Sequence, residues 1–191
     1  MFRLIRRLLI AGLLALPAFS AAADGWGKLG LRDLDGRPLN PAGRWLVVVF
    51  LSPECPVANA EIPVLNALAA DFGRSGVSLV GAYADPALAT DDLRRHVRDY
   101  RLGFPVADDR RQQLKRAAGA TRTPEACVFN RAGELLYRGR IDDRVEDYGA
   151  ARPRATQEDL RNVLTALLAG QTGPFRFQPG FGCAIPPAAA P

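Results

Sequence analysis

The sequence predicts an α/β fold: a central mixed β-sheet flanked by helices on both faces, with a β-hairpin extension at its N-terminal end. Three observations carry this expectation. Residues 46–51 and 77–83 are short apolar runs rich in β-branched side chains, as strands buried on both faces are. Each is followed by a segment with apolar residues at helical spacing. A hairpin signal and a last amphipathic helix then fill the second half, and this order packs as a single α/β layer sandwich.

The elements follow in order. Residues 29–39 alternate around Asp35-Gly36, a hairpin turn signal. Strand 46–51 comes next. The helix expected over 56–72 carries Ile62, Leu65, Leu68, Ala69 and Phe72 on one face and contains Pro63, which should kink it. Gly73 and Gly76 end it. After strand 77–83, residues 90–102 read as an amphipathic helix with Asp91 and Asp92 in the first turn, where the helix dipole favours acids. A short extended piece at 104–107 and a short helix at 110–118, stopped by Gly119, lead to a strand pair: 125–130, a turn at Arg131-Ala132-Gly133, and 134–141. Pro124 stands at the entry of the first of these, where a proline costs no ladder hydrogen bond. The last helix is expected from Thr156 as N-cap, through Leu160, Val163, Leu164, Leu167 and Leu168, to Gly170. An aromatic tail with Phe175, Phe177, Phe181 and Cys183 follows, and residues 186–191 read as disordered.

The first residues have a different purpose. Arg3, Arg6 and Arg7 precede an apolar stretch at 8–19, and Ala21-Ala22-Ala23 supplies small residues for cleavage, the pattern of a secretory signal peptide. About 20 apolar residues are wanted to span a bilayer, and this stretch is shorter. The expected organisation is a signal peptide over 1–23, one domain over 24–170 and a tail over 171–191, with a periplasmic or secreted location. Loss of three arginines with the signal lowers the formal net charge from +5 to +2. The remaining basic residues are mixed with acids, so no nucleic-acid partner is expected, and no membrane association beyond the export signal. Three widely spaced cysteines, Cys55, Cys127 and Cys183, make neither a disulfide-dense scaffold nor a zinc site, and no metal or cofactor is expected.

Cys55 carries the chemistry. Ser52 and Pro53 break the apolar strand, and Pro56 has the φ of a first helical residue and no N–H to leave unpaired, so Cys55 falls at or beside a helix N-cap. Backbone N–H groups and the helix dipole there favour a thiolate, and fields of this kind lower a cysteine pKa to about 3.5–7.5. A helix start after a core strand also argues against a hidden side chain. Cys127, inside an apolar run, reads as buried and inert. His96, the sole histidine, falls on a polar helix face, and Asp142-Asp143 reads as a solvated pair of turn acids. Glu54 either raises the Cys55 pKa by like charge or is a solvated acid.

Over roughly residues 29–169 the sequence resembles the thioredoxin superfamily, in its exported redoxin-like branch, AhpC/TSA-like or thioredoxin-like. The marks are Cys55 between core strand and helix, Pro63 eight positions on, Thr123-Pro124 matching the threonine and cis-proline that face the active cysteine, and the hairpin after it with its strand Leu135-Leu136-Tyr137-Arg138-Gly139. The resemblance implies a thiol-disulfide oxidoreductase with Cys55 as nucleophile. It further implies a substrate site of Ser52, Pro56, Thr123 and Pro124, the backbone of Thr123 being free to pair with an extended substrate. Substrates would be protein or small-molecule disulfides or peroxides, with an external thiol as electron donor.

The departures from that pattern are specific. Ala58 replaces the second cysteine of Cys-x-x-Cys, so the local resolving thiol is missing, and Glu54 replaces the usual tryptophan. Cys183, on the glycine-flanked segment Gly180-Phe181-Gly182-Cys183, is the candidate resolving thiol, since similar exported redoxins often end in such a segment. Peroxiredoxins, a sister branch, use one peroxidatic cysteine. Ser52 matches their hydroxyl position, Val48 stands where they have proline and Pro124 where they have arginine; Arg122 and Arg140 are the candidates to replace that arginine, though nothing in the sequence places either beside the sulfur and both read as solvated charges. A thiol peroxidase and a non-catalytic peptide-binding module are the alternatives.

Overall fold

The computed structural model describes residues 25–147 and 150–188. The expected signal peptide lies outside the described residues. A 3₁₀ turn, Gly25–Leu29, precedes β1 (Trp45–Leu51), α1 (Pro56–Gly73), β2 (Val77–Tyr83), α2 (Thr90–Asp99), β3 (Val106–Asp108) and α3 (Gln113–Ala118). Then come β4 (Arg122–Thr123), β5 (Glu125–Asn130), β6 (Leu135–Gly139), β7 (Val145–Asp147), β8 (Ala150–Ala151), α4 (Asp159–Leu168) and β9 (Cys183–Ala184). The main sheet has the order β3-β2-β1-β5-β6. β1 pairs parallel with β2 and antiparallel with β5, and so forms the centre of a mixed sheet.

Every residue of β1 is buried, as its unbroken apolar run requires of a strand covered on both faces. Alternate residues feed two cores. Val47, Val49 and Leu51 pack with Leu65 and Leu68 of α1, Leu93 of α2 and Leu160 of α4. Leu46, Val48 and Phe50 pack with Cys127, Phe129, Leu114 of α3 and Trp26. At the base of the sheet Gly43 has φ +117°, and a Cβ there would run into the backbone of Gly76, whose carbonyl accepts from Arg44 N at 2.8 Å.

The expected hairpin at 29–39 shrinks to a single bridge, Arg32 to Pro38, closed by an Asp33 carboxylate that accepts from the backbone of Asp35 and Arg37. α1 runs on through Pro63 to Gly73, because Ile62, Leu65 and Leu68 on its inner face dock both sides of the proline onto the sheet. α4 begins at Asp159 with Glu158 at its N-cap. Thr156 is not the cap: Asp143 binds both its N–H and its hydroxyl. Asp142 and Asp143, read as solvated, are buried, because Arg144 pairs with Asp142 at 2.8 Å and the Thr156–Gln157 backbone donates to Asp143. His96 is likewise not on a polar face. It is 4% exposed, with Nδ1 2.6 Å from Tyr83 Oη and Nε2 2.8 Å from Asn59 Oδ1. The amide oxygen of Asn59 makes Nε2 the donor, which leaves Nδ1 to accept from tyrosine. Burial holds its pKa below the usual value. Leu93 and His96, three apart, form the narrow stripe by which α2 docks.

Two leucines on helices separate core from surface. Leu65→Ala, at a fully buried site, should cost about 2–5 kcal/mol in urea unfolding. Leu168→Ala, at a side chain 40% exposed, should stay within about 0.5 kcal/mol.

Candidate functional site

Cys55 is the N-cap residue of α1, with extended backbone (φ −91°, ψ 106°) and Pro56 at the first helical position. Its amide donates to Ser52 O at 3.1 Å, and Ser52 Oγ accepts from Glu54 N at 3.3 Å, so Ser52 shapes the turn that carries the strand into the helix. Glu54 faces solvent, as does Pro56. The sulfur does not: Cys55 is 0% exposed, contrary to the expectation that a helix start could not hide it. The tail is what covers it.

β9 lies antiparallel to β4, with Thr123 opposite Cys183 and Arg122 opposite Ala184. The Thr123–Pro124 peptide is cis. Cys55 Sγ is 3.0 Å from Thr123 O, to which its S–H donates, and it accepts from Ala58 N at 3.5 Å. The side chain and the backbone N–H of Cys183 also hydrogen-bond this sulfur. All three cysteines are free thiols.

Two opposing influences set the acidity of Cys55. Burial pushes its pKa up, but hydrogen bonding from the Cys183 side chain, the Thr123 side chain and the Ala58 and Cys183 amides outweighs it, and the value falls below the ordinary 9.0. The Thr123 hydroxyl is buried and has no partner at normal hydrogen-bond geometry, which leaves it available to the sulfur. Cys183 goes the other way: burial, then its bond to Cys55 and the Cys55 charge, push it up to about 11. Of the two thiols, Cys55 therefore ionises first while Cys183 keeps its proton and donates it.

Cys127 sits opposite Val48 at the centre of the sheet, and burial followed by the nearby Glu125 charge pushes its thiol far up, as an inert cysteine requires. The two arginines have other work. Arg140 pairs with Asp159 at 2.6 Å, and Arg122 donates to Gly180 O at 2.7 Å, tying the tail down.

Sequence reasoning missed Glu61 here, and it named Gly182 only as part of a glycine-flanked segment. Glu61, on the buried face of α1 one residue before Ile62, bonds Arg144 at 2.5 Å. Burial and the Asp142 charge raise its pKa to about 7 against the pull of Arg144. A carboxylate on an apolar helix stripe was the available signal. A Cβ at Gly182 would collide with the Thr123 carbonyl.

Cys183→Ala removes a donor to the thiolate, so the Cys55 pKa should rise toward 9.0, read from the pH dependence of its alkylation. Glu61 binds a proton in the fold up to about pH 7 but only up to about pH 4.5 when unfolded. Between those values the native state holds more protons, so this group's contribution to stability is lost as pH rises. Urea unfolding from pH 4.5 to 8 should show Glu61→Gln gaining stability relative to the parent across that window.

The model describing the AhpC/TSA family matches residues 14–138. Thiol-disulfide oxidoreductase ResA of Halalkalibacterium halodurans is 25% identical over 62% of this chain and 69% of its own. ResA of Bacillus thuringiensis is 29% identical, and there the match spans only 58% of the relative's length. Among solved structures, an uncharacterized conserved protein from Geobacillus kaustophilus superposes with a TM-score of 0.72 at 26% identity, covering 84% of this chain and 89% of that one. A secreted Mycobacterium tuberculosis disulfide oxidoreductase shares the fold, with a TM-score of 0.52 at 20% identity over 76% of this chain and 98% of its own. The mixed sheet with helices on both faces, a cysteine at the strand-to-helix turn and Thr123-Pro124 opposite it make a thioredoxin-like fold. With the family match covering most of its length, the chain belongs to the AhpC/TSA family.

Proposed function

We propose that this protein is an exported thiol-disulfide oxidoreductase in which Cys55 is the nucleophile and Cys183 the resolving thiol. The observation that carries the reading is the pairing of Cys183 with Thr123, which brings the tail thiol to a Cys55 sulfur whose pKa is lowered. The names of the ResA relatives support the reaction class.

The steps balance as ordinary exchange. Cys55 thiolate attacks one sulfur of a substrate disulfide, the other sulfur leaves as a thiolate, and a mixed disulfide forms. Cys183 then gives up its proton to the second leaving thiolate and attacks Cys55 Sγ. The substrate gains two electrons, and the protein is left with a Cys55–Cys183 bridge that two equivalents of an external thiol reduce. Ser52 and Pro56 shape the turn at the nucleophile, and Thr123 and Pro124 present the edge against which substrate lies. No cofactor is needed for exchange between sulfurs. In a periplasmic or secreted setting the donor would be another exported thiol protein or a small thiol.

A second reading has one observation of its own. The buried Thr123 hydroxyl, which acts on the Cys55 sulfur without a bond of normal geometry, would turn to a hydroperoxide oxygen bound there, as a thiol peroxidase needs.

Peptide mapping of the non-reduced protein after one turnover should show Cys55 linked to Cys183. Cys55→Ser should lower disulfide reduction about 100-fold or more, and Cys183→Ser should accumulate the mixed disulfide at Cys55. Peroxide consumption that exceeds disulfide reduction on the same preparation would select the peroxidase. Undiminished function in Cys55→Ser would leave a binding module.

A further inference from the structure

The edge that a thioredoxin-like fold offers to an extended substrate is already taken. β9 occupies it, and the occupant is built like a substrate, an extended segment with a cysteine whose sulfur meets Cys55. The segment is a strap held firmly at both ends. Upstream, Gln178 bridges Gly139, its carbonyl accepts from Arg140 N at 2.8 Å, and Arg122 holds Gly180 O. Downstream, Ile185 is buried with its N–H on Thr121 O at 3.0 Å, and Gln112 and Lys115 hold Pro186 O at 2.6 and 3.2 Å. Between these anchors only two residues pair with β4, and Cys183 is partly exposed. A strap so held can bow away in the middle while its ends stay fixed.

Resting on the reading of Cys55 as nucleophile, we propose that β9 is an intramolecular substrate mimic, and that a cysteine-bearing polypeptide reaches Cys55 by taking the place of Gly182–Ala184 on Thr123. The seat also sets a preference. A Cβ at Gly182 would meet the Thr123 carbonyl and Pro124, so the residue before the reacting cysteine of the partner is glycine. Return of the strap then does two things in one movement: it displaces the bound segment from Thr123 and delivers Cys183 to the mixed disulfide. Reactivity toward outside substrate is scaled by the fraction of molecules with the seat open.

The test uses the full chain carrying Cys183→Ser, which keeps the tail but removes its thiol, with and without Gly182→Val, which cannot seat. Each is offered a thionitrobenzoate mixed disulfide of a peptide with the sequence of residues 178–186, and the same peptide with valine before its cysteine. Cys55 attacks the peptide sulfur and thionitrobenzoate leaves, which gives the rate by absorbance. Adding Gly182→Val should speed the Gly-Cys peptide about tenfold or more, while the Val-Cys peptide stays slower. Hydrogen exchange on the peptide adduct of Cys183→Ser alone should show the amide at 183 losing protection about tenfold or more, while the anchor amide at 185 keeps its own. A rate unchanged within about twofold in a folded Gly182→Val protein overturns the proposal, and so does an amide at 183 that stays protected with peptide bound to Cys55. If Gly182→Val does not fold, the exchange measurement decides alone. Failure of both proteins to release thionitrobenzoate from any probe overturns instead the assignment of Cys55 as nucleophile.

Discussion

The burial of β1 between two paired neighbours is the constraint on which the site depends. Its last residues are locked on one side to Tyr83 and on the other to Glu125, through Leu51 and Phe50. Because Phe50 faces Glu125, the chain entering β5 must pass Thr123 and Pro124 beside the turn that leaves β1. Cys55 and Thr123, far apart in sequence, are brought together by that register, and the bond from the Cys55 thiol to Thr123 O follows from it. Glu125 secures the same entry from below, its buried carboxylate accepting from Thr121 N at 2.7 Å and lying 3.5 Å from Arg138.

Around the sulfur the protein uses hydrogen-bond donors where many thiol sites use a cation. Donors act at short range and lose their effect as soon as they move. The acidity of Cys55 is therefore tied to the position of the tail, which supplies two of them from Cys183. The more buried sulfur is the more acidic, and the more accessible one holds its proton. In exchange chemistry the lower-pKa thiol is the better leaving group, so an outside thiol that attacks the bridge finds both access and departure favouring attack at Cys183.

The strands and main helices were legible because burial on two faces leaves an unbroken apolar run, as in residues 46–51, and burial on one face leaves a period, as in the Ile62–Leu65–Leu68 stripe. Cys55 was legible because proline and the end of an apolar run mark a helix start. Its burial was not, since the cover comes from a two-residue strand far along the chain, too short to carry any period. His96, Asp142, Asp143 and Glu61 were misread or missed for a common reason. Their polarity suggests solvent, and each is buried with a polar partner that no periodicity announces: Tyr83 and Asn59 for the histidine, Arg144 for Glu61 and Asp142, the Thr156 backbone for Asp143. Residues 186–188, in a stretch whose composition suggests disorder, are held through Pro186 and Ala188 by Gln112.

The anchoring of the strap at Gln178 and Ile185 has a consequence for how its length is allowed to vary. Successive residues of an extended strand face opposite sides, so one residue gained or lost between the anchors would turn the Cys183 sulfur away from Cys55 unless the chain bulged. Gly180 packs against Arg140 and Gly182 against Thr123, and neither contact has room for a bulge. The count of residues between the two anchors is thus as much a part of the redox site as the cysteine it carries.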